Sequence, residues 1–153
     1  MGVELQRLIY ASRWAGDVAD DIDETVKTIL CKSIPNNRLS NLTGLLVVHN
    51  GWFIQALEGS RPSIAGLMDR IFRDPRHSDI HVICSGAADS RCFSDWNMAA
   101  VSIGPATKDF LGELGITSFD GRRLDAGSAL NLLQAIGEAE RQRERTAAGI
   151  RAA

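Results

Sequence analysis

The sequence predicts an α+β sandwich, ferredoxin-like in its β-α-β-β-α-β-β order, with both core helices on one face of a sheet. Three observations predict it. Helical apolar spacing alternates with short strand-like runs, His49-Asn50-Gly51 supplies the Asn-Gly chemistry of a tight hairpin between the middle strands, and more strand-like segments follow the second helix.

Residues 6–11, QRLIYA, form the first strand, whose alternation puts Leu8 and Tyr10 on one face and Ile9 and Ala11 on the other. Tyr10 is therefore expected to point into packed structure. Residues 17–32 carry Val18, Ile22, Val26, Ile29 and Leu30 at spacings of three and four, an amphipathic helix with acidic first turns that suit the positive end of its dipole. Pro35 marks its limit. After the polar stretch 36–41, LTGLLVV is apolar enough for a central strand, and Trp52-Phe53-Ile54-Gln55-Ala56-Leu57 returns antiparallel to it. Pro62 sits where a helix start accepts it, and Ile64, Leu67, Met68, Ile71 and Phe72 form an apolar stripe that runs to Asp74-Pro75. Residues 80–85 and 96–103 read as further strands. Residues 107–114 read as a short helix and 126–145 as a longer one, with Leu130, Leu133, Ile136 and Gly137 on one stripe. These C-terminal helices are expected to pack on or near the open sheet face, which would otherwise favour association, and 149–153 are expected to fray.

A chain of 153 residues suits one domain with a short appendage, leaving no room for a second large catalytic domain. With 17 Lys plus Arg against 19 Asp plus Glu, a net charge of -2 gives no broad field that would draw nucleic acid or an anionic membrane. No apolar run approaches the roughly 18 residues of a transmembrane helix, and the first residues lack the pattern of a secretion signal. A cytoplasmic location is expected. Cys31, Cys84 and Cys92 form no CxxC pair and are odd in number, so free buried thiols are expected rather than a disulfide framework.

No compact catalytic set appears, and no enzymatic activity is expected. Ser12 has no recognisable His or acid partner to make it a nucleophile. His77, His81 and Cys84 have suggestive spacing, but His81 and Cys84 should fall on opposite faces of a strand, so no metal site is expected. No Gly-rich phosphate loop follows the first strand. Gln55 stands among apolar neighbours. Buried, its amide must find partners, since each unpaired group costs about 1–3 kcal/mol; otherwise it faces solvent on an open side of the sheet. Tyr10 and Gln55 on adjacent strands, with Asn36 and Asn37 at the entrance to the intervening strand, could together contact a planar heteroaromatic ligand. On residue types alone the Tyr–Gln pair reads as structural before it reads as photochemical.

The ordered segments LIYASR, NNRLSNLTGLLV, NGWFIQALEG, FRDPRH and RCFSDWNM, spread over residues 6–103, resemble the BLUF family of blue-light receptors that use flavin. The resemblance implies noncovalent FAD between the two core helices, a flavin-binding core over 1–103 and a helical appendage over 104–148. It makes Tyr10 the flavin-proximal phenol and Gln55 its hydrogen-bonding neighbour. Asn37 is implied to anchor the flavin's polar edge, with Ser33 and Asn36 as pocket positions. Arg76 and His77 are implied to hold the phosphate or adenosine side, Lys32 and Asp74 to add polar cofactor contacts, and Trp96 and Met98 to transmit the signal. The family mechanism implies light-driven passage of an electron and a proton through the Tyr10–Gln55 network, and their return with Gln55 reoriented or tautomerised. The expected output is association, in a homo-oligomer with a dimer as the minimal form, or with a downstream protein, and not with nucleic acid or membrane. The competing reading is a light-independent ferredoxin-like module that binds protein or a small ligand.

Overall fold

The first strand claims two antiparallel neighbours, and the sheet is laid out from it. The structure, a computed structural model, describes residues 4–14, 41–49, 52–75, 77–94, 97–102 and 124–152. In chain order its elements are β1 (Gln6–Trp14), β2 (Thr43–His49), β3 (Trp52–Gly59), α1 (Arg61–Arg73), β4 (His77–Ala87), β5 (Asn97–Ser102) and α2 (Ala126–Ala152). The sheet order is β4-β1-β3-β2-β5. β1 pairs antiparallel with β3 and β4, β2 antiparallel with β3, and β5 joins the far edge parallel to β2. This is the ferredoxin-like α+β fold that the sequence predicts, with a fifth strand beside β2. The helices expected over 17–32 and 107–114 lie outside the described residues.

Several elements run longer than their sequence signatures. β1 continues to Trp14 and β4 starts at His77, because Arg13 pairs with Ser78 and Trp14 with His77 beyond the apolar run. His49 pairs with Trp52, which leaves the two-residue connection that a tight hairpin uses. α2 runs to Ala152, past the span of 126–145 and into the tail expected to fray; its last turns are rich in Ala, Arg, Glu and Gln, all strong helix formers.

Local chemistry fixes both helix starts. Ser60 Oγ accepts from the Ser63 amide at 3.2 Å, and Pro62 sits in the first turn of α1, where its missing N–H costs no helical bond. Asp125 Oδ1 accepts from the Ser128 amide at 2.7 Å ahead of α2. That bond holds the Asp125 carboxyl below its ordinary range. At the end of β3, Leu42 crosses so closely that a Cβ on Gly59 would lie 2.7 Å from Leu42 Cδ2.

The alternation of β1 sorts the core into two layers. Leu8, Tyr10, Leu42 and Leu57 meet Ile64, Met68 and Ile71 of α1 on one face. On the other, Ile9, Leu45, Val47, Ile54 and Ala56 meet Phe93 and Ala129, Leu132, Leu133 and Ile136 of α2. The apolar stripe of α2 thus closes the second face of the sheet, as the sequence suggests. β3 is consequently covered on both sides, every residue from Phe53 to Gly59 being buried.

Leu133, on the apolar stripe of α2, is wholly buried. Leu133→Ala should destabilise the fold by about 2–5 kcal/mol through lost transfer energy and the cavity left behind. Denaturant unfolding should show a lower midpoint at an unchanged slope; an unchanged midpoint would mean that α2 is not part of the cooperative core.

Candidate functional site

Tyr10 and Gln55 are directly opposite each other on β1 and β3. Their side chains share the α1 face, where Tyr10 is 1% and Gln55 6% exposed. Two polar groups so deeply buried must satisfy each other, and the Tyr10 hydroxyl donates to Gln55 Oε1. Burial settles the choice left open for Gln55 in favour of the protected amide. Accepting through Oε1 fixes the amide's orientation and turns Nε2 away from the phenol.

Desolvation pushes the Tyr10 phenol far above its ordinary range, and the Asp74 carboxylate raises it further. Asp74 is placed to do this because it ends α1, its amide donating to the Ile71 carbonyl at 3.1 Å. Tyr10 is therefore a neutral, proton-bearing donor.

His77 joins this group from the start of β4. Its Nδ1 lies 2.8 Å from Ser12 Oγ, its ring is 5.1 Å from that of Phe53, and it meets the Tyr10 ring edge-on at 6.2 Å. The resemblance assigns His77 to the phosphate or adenosine side of a cofactor; the structure places it next to the phenol. Ser12, wholly buried, does have a histidine partner, contrary to the reading from sequence. That reading stopped the strand at Ala11, whereas pairing of β1 and β4 beyond that point brings the two together. Asp79, at φ 49°, lies in the register shift opposite Ser12, in a left-handed conformation that Asp tolerates better than most residues.

A second register shift corrects another expectation. Cys84 is opposite Ile9 and Val82 opposite Tyr10, so Ile83 is an extra residue, and His81, opposite Ala11, shares a face with Cys84. Even so, no group of three or more His, Cys, Asp and Glu side chains among the described residues could hold a metal ion. Partial burial raises the Cys84 thiol above its ordinary range.

The structure thus brings together Tyr10, Gln55, His77 and Asp74 from the residues singled out in the sequence, and adds Ser12 and Phe53. Lys32, Ser33, Asn36, Asn37, Arg76 and Trp96 lie outside the described residues. Met98 is on β5, next to Asn97, which pairs with Gly44. A face bearing a phenol, an amide, a hydroxyl and an imidazole beside an aromatic ring suits a flat heteroaromatic ligand with carbonyl and ring-nitrogen edges.

Comparison with known proteins gives the family of an α+β sandwich that carries such a face. Residues 5–99 match the family described as BLUF, sensors of blue-light using FAD. The photoactivated adenylate cyclase subunit beta of Euglena gracilis is 28% identical over 95 residues, which is 58% of this chain but 11% of that protein. This chain therefore spans only about a tenth of such relatives. Among solved structures, the photo-activated state of BlsA superposes with a TM-score of 0.75 at 26% identity, covering 86% of this chain and 93% of that one. The dark state of BlrB, a BLUF protein, gives 0.69 at 30% identity, covering 87% and 97%. The chain belongs to the BLUF family of blue-light sensors. Among the described residues no helix is long and apolar enough to cross a membrane.

Tyr10 is the only tyrosine in the chain, so its burial can be tested directly. Above a pH of about 10 an unfolded phenol loses its proton while the buried one keeps it, so stability falls as pH rises, by up to about 1.4 kcal/mol per pH unit. Tyr10→Phe should lack this slope. In alkaline unfolding series, phenolate absorbance should appear only as the wild type unfolds; equal slopes for the two proteins would place the phenol within reach of solvent.

Proposed function

We propose that this chain is a blue-light receptor that binds FAD noncovalently on the α1 face of its sheet, and that rearrangement of the Tyr10–Gln55 hydrogen bond is its switching event. The observation that carries this reading is the buried bond from the Tyr10 hydroxyl to Gln55 Oε1, held by strands in direct register. Bound flavin would supply absorption of blue light and an excited state that takes up an electron. Tyr10 serves as the neutral donor of electron and proton, a role that its raised pKa and its bond to Gln55 support. Gln55 serves as the switchable amide, because either rotation or tautomerisation exchanges what it presents to the phenol.

Ser33, Asn36 and Asn37, with Lys32 and Arg76, are the proposed cofactor contacts from outside the described residues. Asp74 and His77 complete the set from the end of α1 and the start of β4. His77, held by Ser12 and packed on Phe53, also keeps water from the phenol's flank. Trp96 and Met98 are proposed to pass the change to the appendage. The proposed core spans 1–103 and the helical appendage 104–148, with α2 continuing to Ala152. The proposed setting is the cytoplasm. The proposed output is a change in conformation or assembly, through a homodimer or a downstream protein.

Protein purified with FAD should be yellow and show a reversible red shift under blue light. Gln55→Leu should keep the bound flavin and lose the shift, because a leucine offers no amide to reorient. A colourless protein that takes up no FAD would overturn the receptor reading, and survival of the shift in Gln55→Leu would overturn the role of the amide. Light scattering of dark and illuminated samples should show a change in mass if assembly is the output; identical masses at all concentrations would leave conformation as the carrier.

A further inference from the structure

The face of the sheet opposite the Tyr10–Gln55 pair holds a second polar centre. Glu58 lies three residues after Gln55 on β3, points to the α2 side and is 0% exposed. Its Oε2 accepts from Arg7 Nε at 2.9 Å and from the Cys92 amide at 2.8 Å. Its Oε1 accepts from the Phe93 amide at 2.8 Å and from Thr43 Oγ1 at 3.4 Å. The same segment is tied down by two arginines. Arg7 Nη2 donates to the Ser90 carbonyl at 2.8 Å, while Arg91 donates to Thr43 Oγ1 at 2.8 Å, the Glu58 carbonyl at 3.1 Å and the Asn41 carbonyl at 2.9 Å.

A carboxylate that fills both oxygens with donors from β1, β2 and residues 92–93 is more than an ion pair. An apolar residue of similar volume would pack this layer at lower desolvation cost. What the carboxylate adds is direction, since the segment 90–93 can sit only where its two amides meet the two oxygens. Residues 90–93 matter because they lead toward β5 and because Phe93, 1% exposed, packs within the cluster formed by Ala129, Leu132, Leu133 and Ile136 of α2. Arg7 stands three residues before Tyr10, and Glu58 three after Gln55. Both strands of the switching pair therefore end in the same salt bridge.

We propose that Glu58 is the positioning residue that couples the Tyr10–Gln55 switch to α2, by locking the segment 90–93 to β1 and β3 on the far face of the sheet. A displacement of either strand then moves Phe93 and the helix packed on it. The proposal rests on the receptor reading and adds to it a route of output through the second face.

The test is Glu58→Gln in the full chain loaded with FAD. Glutamine keeps the volume, but one carboxylate oxygen becomes an NH2 that faces a donor, so either the Cys92 and Arg7 bonds or the Phe93 bond is lost. The flavin red shift reports on the other face and should persist. In wild type, hydrogen exchange should differ between lit and dark protein at 90–94 and over 126–137. In Glu58→Gln the ratio of lit to dark opening constants there should fall toward unity, by about 2- to 30-fold, with an altered rate of dark recovery. Arg91→Met keeps the carboxylate and its amides and should reduce the same ratio to a smaller extent, which supplies the reading if Glu58→Gln does not fold. A full lit–dark difference retained in the folded variant overturns the coupling role alone. Loss of the red shift from wild type overturns the receptor reading and the proposal with it, so the two failures are distinct.

Discussion

A strand buried on both faces must satisfy every polar side chain it carries, and β3 carries two of them. Gln55 and Glu58 project to opposite sides of a sheet with helices over both layers. Neither can reach water, and leaving either unpaired would cost a sizeable share of the stability of a domain of this size. The surrounding structure is organised by their needs. Tyr10 is set directly across from Gln55, and Arg7, Thr43 and the amides of residues 92–93 gather around Glu58. The two centres differ in kind. The Tyr10–Gln55 pair is neutral, and its amide can be exchanged between equivalent shapes; the Glu58 centre is charged, multiply bonded and has one arrangement.

That difference suits a sensor. A neutral hydrogen bond between buried groups can be rearranged at modest cost, because no charge is stranded in either arrangement. Breaking one partner from a buried ion pair typically costs about 3–5 kcal/mol, so the Glu58 centre would hold its geometry through the proposed rearrangement of its neighbour. Under the proposed reading the sheet separates the element that changes from the one that conveys the change, while the same two strands carry both. Burial, with Asp74 adding to its effect, keeps the phenol protonated, and His77 packs against it from β4.

Much of this was legible in the sequence, and the failures have physical causes. The faces of Tyr10 and Ile9 followed from period-two alternation, and the Asn-Gly hairpin placed β2 beside β3. The long-range register that sets Tyr10 against Gln55 agrees with both. The partner of Ser12 escaped notice because His77 lies 65 residues away and meets it only where the strands outrun their apolar cores. His81 and Cys84 were assigned to opposite faces because alternation assumes an unbroken strand, and an extra residue at Ile83 resets it. Glu58 was hidden in the motif LEG as an ordinary acidic residue near a strand end. Nothing in local pattern shows that Cys92 and Phe93 return to it from 34 and 35 residues away.

The position of α2 gives the last step. An appended helix whose apolar stripe only shielded the sheet would be a passive lid, since dispersion contacts among Leu132, Leu133 and Ile136 are non-directional. Phe93 changes that status. It belongs to the same apolar cluster, yet its backbone amide is fixed by a carboxylate on the central strand. The packing of α2 is therefore referenced, through one aromatic side chain, to the strand that bears Gln55. Because close-packed interiors do not deform smoothly, a shift of that reference selects between discrete packings of the helix instead of being absorbed. A small domain can in this way turn one rearranged hydrogen bond into a changed helix surface without any large motion of the sheet.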